Sequence, residues 1–371
     1  MRVILVFTYG ISLKNWHESG IYEREMLFYQ KLEQMYDVKY TFITYGDKQD
    51  KTLLSGFSHA EVIPIYDLYK KSRFNAINLI KSFFVPLYIK KDVAINSVIK
   101  TNQLNGAWIG IILKVLLGAS LIVRTGYNIH QFKVLEKKPN YIINFYKYLT
   151  KISLAQADIF ICTSETDKRK ISSLSKVPRS IKVIPNWVYE TVKNPYARRY
   201  KRKILSVGRL EAQKNYEDLI KSLKNTDIEI DIVGEGSLKD KLEIIALKYG
   251  VKVNFLGTLD FFELNNLYKD YKIFVSSSIF EGNPKVVLEA LANGCIVIAN
   301  NTSNIRDIVV NNNNGFTYKK NENIAELVLN LINDEITYDE ISKNGYKTIE
   351  DKYLLSTIIK NEINLYRSLI S

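Results

Sequence analysis

The chain has 371 residues, which is too long for one small core and suits two domains of about 150–200 residues each. Hydrophobic residues make up 46% and charged residues 25%, so the composition excludes a disordered chain. The two cysteines, Cys162 and Cys295, exclude a disulfide framework and a four-cysteine zinc site, and they favour a reducing compartment. The formal net charge of +13 is the unusual value.

That charge lies almost entirely in the first half of the chain. Residues 1–180 contain 26 Lys and Arg against 14 Asp and Glu, a net charge of +12, whereas residues 181–371 contain 26 against 25. The asymmetry indicates either an anionic partner, such as a membrane surface, nucleic acid or a phosphorylated substrate, or a solvated Lys-rich surface without a partner. The sequence contains no basic recognition helix and no zinc-finger spacing, so nucleic acid is disfavoured.

Short apolar strands alternate with helical patterns along most of the chain. Ala107–Val123 is nearly long enough to cross a membrane, but Lys114 interrupts it and Gly118 divides it. We therefore expect a buried helix to about Leu117, followed by a strand. The predicted strands are Val3–Phe7, Val38–Thr44, Glu61–Ile65, Leu121–Arg124, Ile159–Thr163, Lys182–Pro185, Lys203–Val207, Glu229–Val233, Lys252–Leu256, Ile273–Ser276 and Cys295–Ala299. The predicted helices include Ile21–Gln34, Tyr216–Lys224, Leu238–Tyr249, Phe261–Tyr268 and Val286–Asn293.

This alternation predicts an α/β fold of two doubly wound domains, each with a parallel sheet covered by helices on both faces. We expect the first domain to span residues 1–188 and the second to span 189–352. The linker is predicted near Asn186–Lys203, where Pro, Asn and basic residues cluster. A closing helix over about 353–371 is expected to pack back on the first domain.

The loop after the predicted strand Lys203–Val207 carries two cations beside the start of a helix. Asn215 is a suitable N-cap for that helix, and Arg209 and Lys214 precede it. Two cations at the positive end of a helix are not needed for folding and suit a diphosphate. The alternative is that both cations form salt bridges with surface acids.

A second loop follows the predicted strand that ends at Ser276. Asn283 as N-cap and Pro284 at the first helical position predict a helix start with free backbone amides around Gly282. Glu289 lies on a helix that is otherwise apolar nearly all round, and burying an unpaired carboxylate is costly. Its partner is therefore either Lys285, four residues earlier, or the hydroxyl groups of a ligand.

Seven residues separate Glu281 from Glu289 in the segment EGNPKVVLEALANG, which resembles the signature of the GT4 family of retaining glycosyltransferases. Other blocks agree with this family in order and spacing: Val183–Asn186, Val207–Leu210 with Lys214, Val233–Gly236, Phe255–Gly257 and Gly315–Phe316. The resemblance implies a GT-B fold, in which two Rossmann-like domains face each other across a cleft. The second domain would bind a nucleotide sugar and the first would bind the acceptor.

The resemblance also implies roles for individual residues. Arg209 and Lys214 would hold the donor diphosphate, Glu281 would contact the sugar near the reacting centre, and Glu289 would bind the ribose hydroxyls. Arg209, Lys214 and Glu281 form the predicted catalytic set. The other predicted donor-binding residues are Gly20, Gly208, Gly282, Asn283, Pro284, Lys285 and Val286.

The first half offers candidates for acceptor binding. Arg124–Tyr127 ends a strand near the place where many relatives carry a His-containing motif, and the nearby His130 is either part of the site or structural. His17 and Glu18 are predicted to lie in a loop before the helix Ile21–Gln34 and add two polar side chains. The acceptor-side candidates are His17, Glu18, Arg124, Gly126, Tyr127 and His130.

The predicted function is retaining, metal-independent transfer of a sugar from a UDP- or GDP-sugar to a glycan or lipid-linked acceptor, in bacterial surface polysaccharide or lipopolysaccharide synthesis. No cofactor is expected, because the nucleotide sugar is a substrate and no Asp-x-Asp metal motif follows a suitable strand. One alternative is a GT-B nucleotide-sugar 2-epimerase, which the scarcity of His disfavours. Another is a non-catalytic nucleotide-sugar-binding protein.

The segment Tyr66–Lys91 mixes aromatic and basic residues. It predicts either a surface that lies on anionic lipid or a solvated helix pair whose Phe side chains face the core. We expect a cytoplasmic protein, with peripheral attachment to the cytoplasmic face of the inner membrane as the option that this segment raises. The expected partners are the nucleotide sugar, the acceptor and an anionic membrane, without nucleic acid.

Overall fold

The chain folds into two compact units. The computed structural model describes residues 1–91, 97–174, 180–189, 199–319 and 322–370. The first unit contains Met1–Ile184 and Ile359–Ser371, and the second contains Pro185–Ile358. The boundaries predicted at 188/189 and 352/353 lie a few residues from these. Residues 190–198 of the predicted linker Asn186–Lys203 lie outside the described residues.

The first unit is built on a seven-stranded parallel sheet. Its strands are β1 (Arg2–Val6), β2 (Lys39–Thr44), β3 (Glu61–Pro64), β4 (Val98–Thr101), β5 (Ser120–Arg124), β6 (Ile159–Cys162) and β7 (Ser180–Val183). The strand order is β3-β2-β1-β4-β5-β6-β7, so the chain starts in the middle and extends first to one side and then to the other. Such an order is typical of a doubly wound fold.

Helices connect these strands. They are α1 (Leu13–Glu18), α2 (Tyr22–Tyr36), α3 (Ile65–Leu68), α4 (Asn75–Ser82), α5 (Val85–Ile89), α6 (Ala107–Leu117), α7 (Ile129–Leu135), α8 (Asn140–Gln156) and α9 (Glu165–Ser172). Helix α6 ends at Gly118, which adopts a left-handed conformation at φ 64°, and β5 follows. The predicted helix and strand within Ala107–Val123 are thus confirmed. No helix of the described residues is long and apolar enough to cross a bilayer.

The second unit contains a six-stranded parallel sheet. Its strands are β8 (Tyr200–Val207), β9 (Glu229–Val233), β10 (Val253–Phe255), β11 (Tyr271–Ser276), β12 (Ile296–Asn300) and β13 (Phe316–Tyr318), in the order β10-β9-β8-β11-β12-β13. Its helices are α10 (Tyr216–Ser222), α11 (Lys239–Tyr249), α12 (Phe261–Tyr268), α13 (Lys285–Ala292), α14 (Ile324–Asn333) and α15 (Glu335–Lys352). A further helix, α16 (Leu355–Arg367), runs from the second unit into the first.

Both faces of the second sheet are buried. Along β11, Ile273 belongs to one apolar cluster and Phe274 to another, because neighbouring side chains of a strand point to opposite faces. Ile204 and Leu205 of β8 divide in the same way. Continuous apolar strands covered on both sides are the arrangement that the sequence predicts, and the doubly wound α/β class is confirmed.

The sequence prediction missed one central strand. Strand β4 lies between β1 and β5, yet Lys100 occupies its third position. The Lys100 side chain is 3% exposed and forms an ion pair with Glu362 of α16, whose side chain is 2% exposed. A lysine interrupts the apolar pattern that marks a buried strand, and its partner lies far away in sequence. The local hydrophobic pattern of the sequence therefore did not reveal strand β4.

Candidate functional site

Two loops of the second unit meet at the carboxyl edge of its sheet. Strands β8 and β11 are parallel neighbours, so the loops that follow Val207 and Ser276 emerge side by side. The backbone N–H of Ile279 donates to the carbonyl of Gln213 at 3.0 Å, and Gln213 Nε2 donates to the carbonyl of Phe280 at 2.9 Å. These bonds fix the two loops to each other, and sequence spacing alone did not reveal Gln213.

An ion pair joins the two loops. Lys214 Nζ lies 2.6 Å from Glu281 Oε1, although the residues are 67 positions apart in sequence. Their side chains are 16% and 11% exposed, so the pair is sheltered but remains accessible from solvent. The Ser277 hydroxyl donates to the carbonyl of Lys214 at 2.6 Å and holds the backbone of the lysine in place. Two residues of the predicted catalytic set are thus in direct contact.

Arg209 lies in the same loop as Lys214, five positions earlier in the sequence. It follows β8 by two positions and is exposed. Among the described residues its guanidinium forms no hydrogen bond or ion pair. The alternative predicted from the sequence, salt bridges to surface acids, is therefore wrong for Arg209 within this part of the chain, and the acid that binds Lys214 belongs to the candidate site itself.

Gly208 shapes the path of the Lys214 side chain. Its φ of +153° disfavours other residues, and a Cβ added there would lie 2.7 Å from Lys214 Cε. Gly234 has a similar role one loop further on, since its Cβ would lie 2.2 Å from the carbonyl oxygen of Gly208. These glycines allow close packing of neighbouring loops next to the ion pair.

The start of α13 differs from the prediction. The N-cap residue is Pro284, and the helix begins at Lys285. Asn283 does not cap the helix, because its Oδ1 accepts from the backbone N–H of Asn186 at 2.8 Å, and its carbonyl accepts from Asn186 Nδ2 at 2.6 Å. Gly282 is buried beside it. The Asn186–Asn283 contact orders the segment that precedes α13 and replaces the predicted capping interaction.

Glu289 lies inside the second unit. It is 3% exposed, and its Oε2 accepts a hydrogen bond from the Tyr268 hydroxyl of α12 at 3.2 Å. This partner was not predicted, because α12 and α13 come together only through the fold. Val286 and Lys285, earlier in α13, are half-buried.

The carboxyl edge of the first sheet gathers a second set of polar groups. The backbone N–H of Arg124 donates to Thr101 Oγ1 at 3.1 Å. The N–H of Gly126 donates to Gln103 Oε1 at 2.7 Å, and the carbonyl of Gly126 accepts from Thr163 Oγ1 at 2.7 Å. The segment after β5 is therefore tied to the ends of β4 and β6, and the missed strand β4 explains why its partners were not predicted.

The remaining acceptor-side candidates lie on short helices. His17 and Glu18 belong to α1 and are exposed, so their predicted placement in a loop is wrong. The buried Ser12 caps this helix by accepting from the backbone N–H of Asn15. Gly20 follows the helix with a φ of +69°.

His130 and Tyr127 surround the start of α7. His130 is the second residue of this helix, and partial burial together with the charge of Lys147 lowers its pKa. The Tyr127 ring packs on Phe132 with a centroid distance of 4.4 Å. His130 is therefore more readily neutral than an exposed histidine at the same pH.

No group of three or more His, Cys, Asp or Glu side chains among the described residues is arranged to hold a metal ion. The charged contact that the structure shows at the edge of the second sheet is the ion pair of Lys214 and Glu281.

Residues 190–348 match the sequence profile described as glycosyl transferases group 1. The match covers less than half of the chain and lies within the second unit. An uncharacterized glycosyltransferase of Methanocaldococcus jannaschii is 34% identical over 172 residues, which is 44% of this chain and 44% of the relative. A Campylobacter jejuni N-acetylgalactosaminyltransferase, whose name gives a diphospho-undecaprenol-linked glycan as its acceptor, is 29% identical over 160 residues, or 40% of this chain and 43% of the relative. The matches thus span less than half of either relative.

The whole chain resembles solved structures of the same architecture. Anabaena HepE, solved in complex with UDP and glucose, superposes with a TM-score of 0.76 at 17% identity, and the match covers 100% of each chain. At this identity the likeness establishes the fold. Both units fit it, and the two-domain GT-B fold expected from the sequence is confirmed.

Proposed function

We propose that this protein is a retaining glycosyltransferase that moves a sugar from a UDP- or GDP-sugar to a glycan or lipid-linked acceptor. The observation that carries the proposal is the Lys214–Glu281 ion pair at 2.6 Å, beside an Arg209 without a partner among the described residues. The pair lies in the segment that matches the group 1 glycosyl transferases. We assign donor binding to these residues and to Gly208, Gly282 and the start of α13.

Two cations suit the diphosphate of the donor. Lys214 is already held by Glu281 and by the Ser277–Lys214 backbone bond, so little side-chain entropy is lost when phosphate binds. Arg209 offers a planar guanidinium that can donate two parallel hydrogen bonds to phosphate oxygens. We propose that Arg209 provides most of the adaptable binding and Lys214 a fixed charge.

The proposed reaction breaks the bond between the anomeric carbon and the diphosphate oxygen. The acceptor hydroxyl forms a bond to the same face of that carbon, and its proton passes to the departing phosphate oxygen. Negative charge develops on the diphosphate, where Arg209 and Lys214 stabilise it electrostatically. Glu281 accepts hydrogen bonds from the sugar near the reacting centre. Since the protein itself supplies two positive charges, we propose that the transfer needs no metal ion.

We keep the ribose hydroxyls as the proposed ligand of Glu289, with Tyr268 orienting its carboxylate. The segment Gly282–Val286 would add backbone amides for the sugar or the phosphates. Gly20, in the first unit, remains a proposed contact of the donor phosphate.

The acceptor is assigned to the first unit. Its carboxyl edge presents Arg124, Gly126 and Tyr127, and its helices add His17, Glu18 and His130. The Campylobacter relative acts on a lipid-linked glycan by its name, which supports a role in bacterial surface polysaccharide or lipopolysaccharide synthesis. A cytoplasmic location is part of this proposal.

Thermal-shift binding tests the donor assignment. We expect UDP or GDP, and the corresponding sugars, to raise the Tm of the wild-type protein in the presence of EDTA. Arg209→Ala should abolish most of this shift, whereas Lys347→Ala, an exposed cation on α15, should leave it unchanged. If none of these nucleotides raises the Tm, the proposal is wrong. If the protein binds the nucleotide sugar but neither transfers the sugar to an acceptor nor hydrolyses the donor, a non-catalytic binding protein would be favoured.

A further inference from the structure

Helices α4 and α5 expose large apolar side chains on one side. Phe74 is 70% exposed and Ile80 is 61% exposed. Phe83 and Phe84, which connect the helices, keep helical backbone angles, so positions three or four apart share a side through both helices. We call six exposed residues with this spacing the α4–α5 face: Phe74, Ile77, Ile80, Phe84, Leu87 and Tyr88.

The other side of these helices is anchored in the first unit. Val85 and Ile89 are fully buried in its core. The Trp108 indole N–H donates to Ser82 Oγ at 2.9 Å, and the Trp108 ring stacks on Phe83 at a centroid distance of 5.2 Å. The apolar residues of the α4–α5 face are therefore held outward by a packed structure. Of the two alternatives for this segment, the one in which the Phe side chains face the core is wrong for Phe74 and Phe84.

The charged residues within the stretch that contains both helices are all basic. Residues 68–91 contain six cations and no acidic residue: Lys70, Lys71, Arg73, Lys81, Lys90 and Lys91. The preceding acid, Asp67, is paired with Lys51 at 2.8 Å. The amino group of Lys81 lies 5.2 Å from the Tyr69 ring centroid, which keeps this cation beside the helices. Five of the six cations are exposed.

We propose that the α4–α5 face docks on the surface of an anionic lipid bilayer. Phe74, Ile80 and Phe84 would enter the boundary between headgroups and acyl chains, while the surrounding cations remain at the level of the lipid phosphates. Aromatic side chains are favoured at this depth, and each basic residue near an anionic leaflet adds attraction. An acidic protein surface would match the cations, but it would not provide a layer into which separate apolar side chains can insert.

The position of the face in the fold suggests why docking would be useful. The Tyr9 hydroxyl donates to the carbonyl of Asn75 at 3.1 Å, and Tyr9 follows β1. Trp108, which packs against Phe83 and Ser82, is the second residue of α6, the helix that follows β4. The face therefore lies next to the carboxyl edge of the first sheet, where the proposed acceptor residues are. Presentation of a lipid-linked acceptor to this edge rests on the proposed function, whereas membrane binding itself does not.

Vesicle co-sedimentation of the full chain without nucleotide tests the proposal. The two arms are phosphatidylcholine vesicles and phosphatidylcholine vesicles that contain phosphatidylglycerol, each at low and at high salt. We expect binding only to the anionic vesicles, with binding weakened by salt. Phe74→Ser/Phe84→Ser and Lys70→Glu/Lys71→Glu/Arg73→Glu should each reduce the partition coefficient by about tenfold or more.

Matched controls lie on α11 and α15 in the second unit. Ile244→Ser/Leu247→Ser removes exposed apolar side chains, and Lys239→Glu/Lys248→Glu/Lys347→Glu reverses three exposed charges. Both control proteins should bind vesicles within about twofold of wild type if the named face provides the contact. Equal loss in the controls, equal binding to neutral vesicles, or full binding by the Phe74→Ser/Phe84→Ser protein would each overturn the proposal.

A fluorescent reporter distinguishes insertion from simple attraction. In Phe84→Trp we expect brominated acyl chains to quench the tryptophan fluorescence more strongly than in wild type. Equal quenching in the two proteins would contradict insertion. The nucleotide-induced rise in Tm is measured on the same preparations. A wild-type protein that shows the nucleotide shift but does not bind anionic vesicles overturns docking alone, whereas a wild-type protein that binds the vesicles without a nucleotide shift counts against the proposed donor site.

Discussion

The Lys100–Glu362 pair of the first unit and the Lys214–Glu281 pair of the second unit each join residues that are distant in sequence, and the two pairs differ in burial. Lys100 and Glu362 are almost completely buried, and Tyr366 accepts from Lys100 at 3.5 Å. Lys214 and Glu281 lie in loops at a sheet edge and keep part of their surface in solvent. A buried pair can interact only with the protein, whereas a pair at an open edge can exchange partners with a ligand. The first is expected to support the fold and the second to support binding and chemistry.

Breaking the buried pair should give the largest effect on stability. Lys100→Met leaves Glu362 without its cation in the core, so we expect a loss of about 3–5 kcal/mol in the free energy of unfolding. The double variant Lys100→Met/Glu362→Leu should be less destabilised than the single one, because no carboxylate is then left unpaired. Urea denaturation of both variants checks this, and equal stability of wild type and Lys100→Met would contradict the structural role.

Breaking the Lys214–Glu281 pair should affect sugar transfer instead of stability. Glu281→Gln is expected to lower kcat by about 100- to 1,000-fold, a loss comparable to that of one preorganised polar contact to a transition state. The change in Tm should be small. Steady-state kinetics of transfer to an acceptor measures the effect, and the rate of donor hydrolysis replaces it where no acceptor has been identified. Glu243→Gln, at an exposed position of α11, is the matched control. A variant with wild-type kcat would remove Glu281 from the catalytic set.

A methyl group at Gly208 should disturb the site with a moderate effect. Gly208→Ala would place its Cβ 2.7 Å from Lys214 Cε and would adopt an unfavourable φ of +153°. We expect a loss of about 1–3 kcal/mol in stability together with weaker nucleotide binding. Gly250→Ala also places an alanine at a positive φ, +66°, but without a neighbour within 4 Å, so it should lose less stability and keep its affinity. Isothermal titration with UDP and GDP compares the two, and equal affinities would contradict the role of Gly208.

Alkaline pH should weaken the core around the buried pair, with little effect below pH 9. Burial, and then the charge of Glu362, raises the pKa of Tyr40 well above the ordinary tyrosine value of 10.0, and burial likewise raises the pKa of Tyr366. A raised folded-state pKa gives stability that is present below pH about 10 and is lost as pH rises above it, since the unfolded chain ionises first. The test compares the urea midpoints of wild type and Tyr366→Phe between pH 9 and 11. This range brackets the pKa of about 10 expected for tyrosine in the unfolded chain. An identical pH dependence of both proteins would exclude Tyr366 as a contributor.

Much of the fold could be predicted because its signals are local. Apolar runs such as Ile273–Ser276 mark strands covered on both faces, and Gly118 marks the end of α6. Strand β4 escaped because its Lys100 is neutralised by a residue 262 positions away. The prediction of α13 was correct in place, but its cap was wrong because Asn283 binds Asn186 instead.

The sequence by itself determined the alternation of strands and helices and the concentration of net positive charge in residues 1–180. It also identified the loops that carry the candidate binding and catalytic side chains. It also placed Arg209, Lys214 and Glu281 at strand ends, since the order of residues along the chain is sufficient for that. Only the tertiary structure decided which of these side chains meet. Parallel neighbours in a sheet bring loops together regardless of their separation in sequence, so the Lys214–Glu281 pair follows from the strand order. Burial is likewise a property of the packed chain, and it separates Lys100 from Lys214 although both are lysines paired with glutamates.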